Sequence, residues 1–291
     1  MPQNTLQSPK SRTERNRERM KNYRLYLVRH GITAGNLQRR YVGGGTDEPL
    51  CEQGLAQLRA LAAQYRYPWA NTVFASPMKR ALGTAEMLFP GAENKIILED
   101  LRESHFGEFE NRSFDELRED AHFKLWLDPA AHYVPEGGEA PAQFHARCAG
   151  VLRQILEYMM KAGVEEAACV THGGVIMSML AQRGIPKYPP EHWMADAGCG
   201  YLVQASPELL MRDGIVEVLF GMRRAAQGLR AENRRPAPAL LPGGAHFVLL
   251  AAQRAVIPQA RFPKRKRAPW AGCWQCCPAP PAGPARPACW P

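Results

Sequence analysis

The chain has 291 residues, 45% of them hydrophobic and 22% charged, with a formal net charge of +9 at neutral pH. That is enough apolar material for a sizeable core, and no stretch approaches the ~18 apolar residues of a membrane-spanning helix. The positive charge identifies no ligand, because it sits at the ends: residues 1–22 carry +4, residues 23–222 carry −6 and residues 223–291 carry +11. The middle reads as a mildly acidic globular body, residues 23–222, between two basic segments.

Residues 1–22 are polar, charged and unpatterned, as expected of a disordered basic extension. They contain no apolar segment of the kind a secretory signal needs. Met20 stands just ahead of the first strand and is the expected natural start, the residues before it being an upstream extension. Cys51, Cys148, Cys169 and Cys199 are scattered through the body without paired spacing, which fits reduced thiols in a cytoplasmic protein.

Residues 23–28 form a short apolar run that ends in Arg29-His30-Gly31 and reads as a buried strand. In an open α/β sheet, chemistry gathers outside the carboxyl ends of the strands, which is where Arg29 and His30 would sit. A guanidinium there can hold a phosphoryl group while a neutral imidazole nitrogen attacks it. Residues 31–36 make a turn and begin a helix or loop, and residues 43–50 are a loop by composition. Its glycines are no P-loop, since no Gly-Lys-Ser/Thr follows. Leu55, Leu58, Leu61, Ala62 and Tyr65 recur at helical spacing and predict an amphipathic helix over 52–65.

A second strand over 72–75 ends at Ser76-Pro77, and a helix runs from there to about 88 with Arg80 in its first turn. A third strand is expected over 95–98, followed by Glu103 and a loop over 106–110. Residues 113–127 read as one helical stretch, 135–139 break the pattern, and a long helix spans 141–161. The fourth strand, 167–171, runs into His172-Gly173-Gly174. The helix beginning there, with its body over 175–182, points first-turn N–H groups, Gly173's included, to the same edge. Strands over 200–204 and 215–220 close the body. Strands alternating with helices predict a three-layer α/β/α arrangement, a mostly parallel sheet flanked by helices.

Beyond residue 222 the composition changes: 12 of the 25 prolines, half the cysteines and half the tryptophans lie in residues 223–291, with Glu232 as the only acid. Periodicity is lacking outside 247–256. This segment reads as a disordered tail, and its make-up is that of a GC-rich frame translated past a true end. Cys273, Cys276, Cys277 and Cys289 lack a second properly spaced pair, so no metal is assigned to them. The run Lys264-Arg265-Lys266-Arg267 could bind nucleic acid or act as an import signal, but in a basic, disordered tail that is the weaker reading and no nucleic-acid partner is expected.

Four separate segments thus deliver Arg29 with His30, Arg80, Glu103, and His172 with Gly173 to one sheet edge. Guanidinium forks and helix N-terminal amides suit a phosphate dianion. One histidine can attack while the other steadies the equatorial oxygens, and a carboxylic acid can protonate the leaving oxygen and then activate water. Nothing in this set demands a metal or cofactor.

The motifs Leu-Val-Arg-His-Gly-x-Thr-x-x-Asn (27–36), Ser-Pro-Met-Lys-Arg-Ala (76–81), Leu-x-Glu-x-x-Phe-Gly-x-Phe-Glu (101–110) and Thr-His-Gly-Gly (171–174) resemble the histidine phosphatase superfamily, in its phosphoglycerate-mutase-like branch. The resemblance covers 24–220. It implies that His30 becomes phosphohistidine, that Arg29, Arg80 and His172 bind the phosphoryl group with Asn36 as a further contact, and that Glu103 is proton donor, then base. Glu110-Asn111 departs slightly from the Glu-Gly that usually follows.

Within the superfamily, Tyr41-Val42-Gly43 and Thr46-Asp47-Glu48-Pro49-Leu50 are similar to the loop of α-ribazole phosphatases, which act late in cobalamin assembly. The loop is one residue longer than the usual form. Residues 135–139 also resemble those enzymes and the broad-specificity phosphatases. The basic insertion of a true mutase is missing between Asn111 and Pro135. The resemblance therefore implies hydrolysis of a small phosphorylated substrate by a monomer or homodimer, with no membrane partner. The alternatives are a phosphoglycerate mutase and a non-catalytic binding protein using its basic tail. His105 is a candidate contact to the leaving group, and the role of Glu139 stays open between helix cap and pocket lining. His122, His132, His145, His192 and His246 read as structural.

Overall fold

Side-chain alternation along β1 (Tyr23–Arg29) divides the strand between two cores. Tyr23, Leu25 and Leu27 face one, and Tyr26 and Val28 face the other. A central strand buried on both faces in this way is what an apolar run bounded by glycine dictates. The computed structural model describes residues 21–64 and 67–222. The expectations for residues 1–20 and for the tail 223–291 lie outside the described residues.

Six further strands complete one sheet: β2 (Thr72–Ala75), β3 (Asn94–Ile97), β4 (Glu166–Thr171), β5 (Gly184–Ile185), β6 (Gly200–Ala205) and β7 (Val216–Met222). Their order is β3-β2-β4-β1-β6-β7-β5. Only β6 runs antiparallel to its neighbours, so the sheet is mixed but mostly parallel. The carboxyl ends of β1, β2 and β4 therefore lie side by side at one edge.

Eight α-helices are described: α1 (Ala34–Leu37), α2 (Glu52–Gln64), α3 (Lys79–Leu88), α4 (Phe114–Leu117), α5 (Ala121–Leu127), α6 (Pro141–Ala162), α7 (Gly173–Arg183) and α8 (Pro207–Asp213). One sheet face is covered by α6 and α7. Cys148, Leu152, Ile155 and Met159 of α6 recur at helical spacing and pack with Val175 and Met179 of α7 on Leu25 and Leu27. The other face is covered by α2 and α3, through Leu58, Leu61, Ala81, Ala85 and Leu88. Each fully buried leucine in these layers is worth about 1.5–3 kcal/mol relative to exposure. The three-layer α/β/α expectation is met.

A third cluster stands apart from the sheet. Tyr41, Phe106, Phe109, Leu117 and Phe123 pack edge to face with Trp126 alongside. It ties the segment after β3 to the loop after α1.

The structure differs from the sequence reading in four places. Residues 113–127 form two helices, because Ser113 caps α4 through a capping box with Glu116, and Asp120 then caps α5 by accepting from His122 N and Phe123 N. Helix α8, with Ser206 as its cap, and the two-residue strand β5 were not expected from the sequence pattern. Helix α7 begins at Gly173 itself, with His172 as its N-cap residue. No helix among the described residues is long and apolar enough to cross a membrane.

Candidate active site

The two histidines of the site come from neighbouring strands in parallel register. Arg29 of β1 lies opposite Thr171 of β4, and His30 N donates to Thr171 O at 2.9 Å. His30 and His172 follow these partners, and their ring centroids are 5.1 Å apart. Both are buried. His30 Nδ1 lies 2.7 Å from Gly31 O. A carbonyl can only accept, so Nδ1 carries the proton and Nε2 keeps its lone pair.

Arg80, from the first turn of α3, is fully buried. Its Nε donates to His172 Nδ1 at 3.3 Å, Nη1 to Thr46 O at 2.7 Å and Nη2 to Gly43 O at 3.0 Å. A guanidinium has five N–H donors, so one hydrogen on each terminal nitrogen is left for a ligand. The bond from Arg80 fixes His172 with its proton on Nε2, which lies 2.8 Å from Ser76 Oγ at the end of β2. Arg29 donates Nη1 to Ala195 O at 2.8 Å, while its Nε is buried and without a partner among the described residues. A buried guanidinium N–H without a protein acceptor is a donor suited to an anion.

Glu103 is buried, with Ser104 N donating to Oε1 and Gly174 N to Oε2, each at 3.0 Å. A Cβ on Gly174 would lie 2.5 Å from Glu103 Oε1, so the carboxyl can reach the start of α7 only because residue 174 has no side chain. Gly173 lies beside Arg29 with more room, an added Cβ falling at an ordinary contact distance of 3.4 Å from Nε.

Burial and charge set the protonation states. Burial is the main reason that His30 titrates well below the usual imidazole range, and Arg80 and Arg29 push it the same way. His172 is lowered for the same reason, burial first and then Arg80. Burial raises Glu103 above the usual carboxyl range, although the two backbone donors and the arginines oppose it. The site thus couples a neutral imidazole with a carboxyl biased toward its protonated form, an arrangement able to do nucleophilic and general-acid chemistry together.

The structure brings together Arg29, His30, Arg80, Glu103, His172 and Gly173. Asn36 is placed differently: its side-chain Oδ1 accepts from Thr33 N at 3.2 Å and closes a capping box on α1. His105 is exposed and lies against Gly44, where an added Cβ would fall 2.8 Å from its ring. Glu139 pairs with Arg147 of α6 at 2.6 Å, and Arg147 also holds the carbonyls of Asp100 and Arg102, which fixes the approach to Glu103. Sequence reasoning missed Ser76, although it stands at the end of a strand beside Arg80's helix. It also missed Asp47, whose Oδ1 accepts from Lys79 N at 2.8 Å and caps α3 from a distant loop. The amides of that loop's glycines are taken up within the protein: Gly43 N and Gly45 N turn to the Glu110 carboxylate, and Gly44 N turns to Ser104 O. A groove of about 240 Å³ lined by Leu152, Arg153, Arg183 and Met211 shares no residue with this site.

A mixed, mostly parallel sheet with two histidines, two arginines and a carboxyl at one edge defines a phosphoryl-handling α/β protein of the phosphoglycerate-mutase-like fold. A family model described as the histidine phosphatase superfamily (branch 1) matches residues 25–200, and the chain belongs to that superfamily. Its relatives include the adenosylcobalamin/alpha-ribazole phosphatase of Salmonella typhimurium (strain LT2), 31% identical over 180 residues, 60% of this chain and 87% of the relative. The probable phosphoglycerate mutase GpmB of Cronobacter sakazakii is 31% identical over 172 residues, 56% of this chain and 76% of the relative. Among solved structures, the alpha-ribazole phosphatase from Shigella flexneri superposes with a TM-score of 0.56 at 25% identity, covering 75% of this chain and all of that one.

Proposed function

We propose that the body of this chain, residues 23–222, is a phosphomonoesterase that works through a phosphohistidine at His30 on a small phosphorylated metabolite. The observation that carries this reading is the state of His30: buried, neutral, its Nδ1 proton held by Gly31 O, and flanked by two guanidiniums. Membership in the superfamily supports phosphatase chemistry. The relatives named for alpha-ribazole, together with the 41–50 loop, favour α-ribazole 5′-phosphate as the substrate.

In the first step His30 Nε2 attacks phosphorus in line with the leaving oxygen. The P–O bond breaks, and the Glu103 carboxyl proton passes to that oxygen. Arg29, Arg80 and the Gly173 N–H hold the equatorial oxygens together with the His172 Nε2–H, which a phosphoryl oxygen takes over from Ser76 Oγ. Asn36, whose Oδ1 is taken by Thr33 N, keeps its side-chain N–H groups for a further contact. In the second step the Glu103 carboxylate takes a proton from water, whose oxygen attacks phosphorus as the N–P bond breaks. Phosphate leaves, and His30 and Glu103 regain their starting states. Rate enhancement comes from positioning and from fixed positive charge, the usual means in phosphoryl transfer. Two guanidiniums supply that charge, which supports hydrolysis without a metal. The unlinked thiols Cys51, Cys148, Cys169 and Cys199 fit a cytoplasmic setting.

The test is phosphate release by the full chain in EDTA, wild type against His30→Ala, with α-ribazole 5′-phosphate, 3-phosphoglycerate and p-nitrophenyl phosphate. His30-dependent turnover strongest on the riboside is the expected result, with a label on the wild type alone that survives an alkaline quench and is lost in acid. A label retained in His30→Ala would overturn the nucleophile assignment. Phosphoryl transfer within 3-phosphoglycerate without phosphate release would favour the mutase reading that the second relative represents.

A further inference from the structure

Glu110 lies outside the group of residues that meet the phosphoryl position, yet its carboxylate is the most heavily used acceptor around the site. Oε2 accepts from Gly43 N at 3.0 Å and from Thr46 Oγ1 at 2.7 Å. Oε1 accepts from Gly45 N at 2.8 Å and from Phe106 N at 3.1 Å. Four donors, three of them from residues 43–46, therefore converge on one side chain. Hydrogen bonds to a charged acceptor are the strong ones, and each is worth about twice a neutral bond.

The consequence lies on the opposite side of the loop. With the N–H groups of Gly43 and Gly45 drawn to Glu110, the carbonyls of Gly43 and Thr46 turn the other way and meet Arg80 Nη2 and Nη1. Those two bonds, with the one to His172, set the plane of the guanidinium. The spacing leaves no slack: a Cβ at Gly43 would lie 2.5 Å from Glu110 Oε1 and equally close to Ser104 O. The turn that carries Glu110 is itself anchored, since Asn111 N donates to Tyr41 O at 2.8 Å and Arg40 Nη1 to Asn111 O at 2.6 Å. Asn111 takes a φ of +57°, a left-handed conformation that asparagine tolerates where most side chains do not.

We infer that Glu110 is a positioning residue for phosphoryl binding: it orients the 43–46 loop so that two loop carbonyls hold the Arg80 fork toward the phosphoryl oxygens. This rests on the phosphoryl-binding reading of the site, and it acts through Arg80 without contact to substrate. A bidentate fork tolerates little misalignment, and a displacement of about 1 Å costs roughly 100-fold in rate.

The experiment is a double-mutant cycle on the full chain, read by calorimetric binding of inorganic phosphate and by kcat/KM on p-nitrophenyl phosphate. Glu110→Ala should weaken phosphate binding at least roughly 10-fold and lower kcat/KM roughly 30- to 100-fold. Glu110→Gln, which keeps the size and one acceptor oxygen, should recover part of both and guards against a misfolded alanine variant. In an Arg80→Ala background, Glu110→Ala should add less than about 2-fold, because the group it orients is gone. Losses that multiply in the double variant, or wild-type phosphate affinity in Glu110→Ala, would overturn the inference. Wild-type phosphate binding without His30-dependent turnover would overturn the hydrolase reading alone, and the binding cycle would still decide the role of Glu110. A wild type that binds no phosphate would overturn both.

Discussion

Gly174→Ala isolates the placement of Glu103 from its chemistry. Residue 174 lies in the first turn of α7 with a backbone conformation open to alanine, so the backbone has no objection to the change. Helix propensity alone favours alanine by about 1 kcal/mol. The added methyl, however, would lie 2.5 Å from Glu103 Oε1 and 3.1 Å from both Cδ and Oε2. Restoring an ordinary 3.4 Å contact requires the carboxyl to recede by about 0.9 Å, which also stretches the 3.0 Å bond from Gly174 N. A general acid displaced that far should lose roughly 100-fold in kcat. The loss should fall on substrates with alcohol leaving groups, which need the proton. A p-nitrophenolate leaves nearly as well without one, so its kcat should change by less than about 5-fold. The assay is kcat for an alkyl phosphate against p-nitrophenyl phosphate, with thermal unfolding as the control. Equal losses on both substrates, or none on either, would refute the placement of Glu103 as the acid.

The pH dependence follows from two opposed shifts. Activity requires His30 neutral and Glu103 protonated, so kcat/KM should fall on the acid side where His30 gains its proton, below the usual imidazole range. It should fall on the alkaline side as Glu103 loses its proton, above the usual carboxyl range. Glu103→Gln should abolish the alkaline limb while keeping the acid one, as a rate profile would show. Ser76→Ala leaves the buried His172 Nε2–H without its acceptor and should destabilise the fold by about 1–3 kcal/mol, read as a lower urea midpoint at unchanged slope.

The candidate site was legible because its residues stand next to strong local signals. His30 and His172 each follow an apolar strand, Arg80 follows a Ser-Pro helix start, and the strands' parallel order then gathers them without further instruction. What escaped the sequence was carried by contacts between distant segments. Glu110 receives an amide 67 residues away, and Asp47 caps a helix 32 residues on, and no local pattern announces either. Glu110-Asn111 read as a departure from a familiar pair, yet Asn111 meets the backbone demand that glycine usually meets. The break at Asp120 had a local signal, a second capping residue inside a helical run, but periodicity across 113–127 outweighed it. Helix α8 is short and has only its Ser206-Pro207 start to mark it, and β5 exists only because β7 lies beside it.

The 5.1 Å between the two imidazoles is close to the 4.7–4.9 Å that separates any two adjacent strands. The backbone points from which the two rings spring are thus set by the peptide ladder wherever β1 lies beside β4 in this register. Gly31 O, Arg80 and Ser76 then only fix how the two rings turn within that spacing. The loops over 34–50 and 104–139 are held instead by side-chain bonds such as those of Glu110, so it is there, and not in the strand spacing, that a substitution can shift the site.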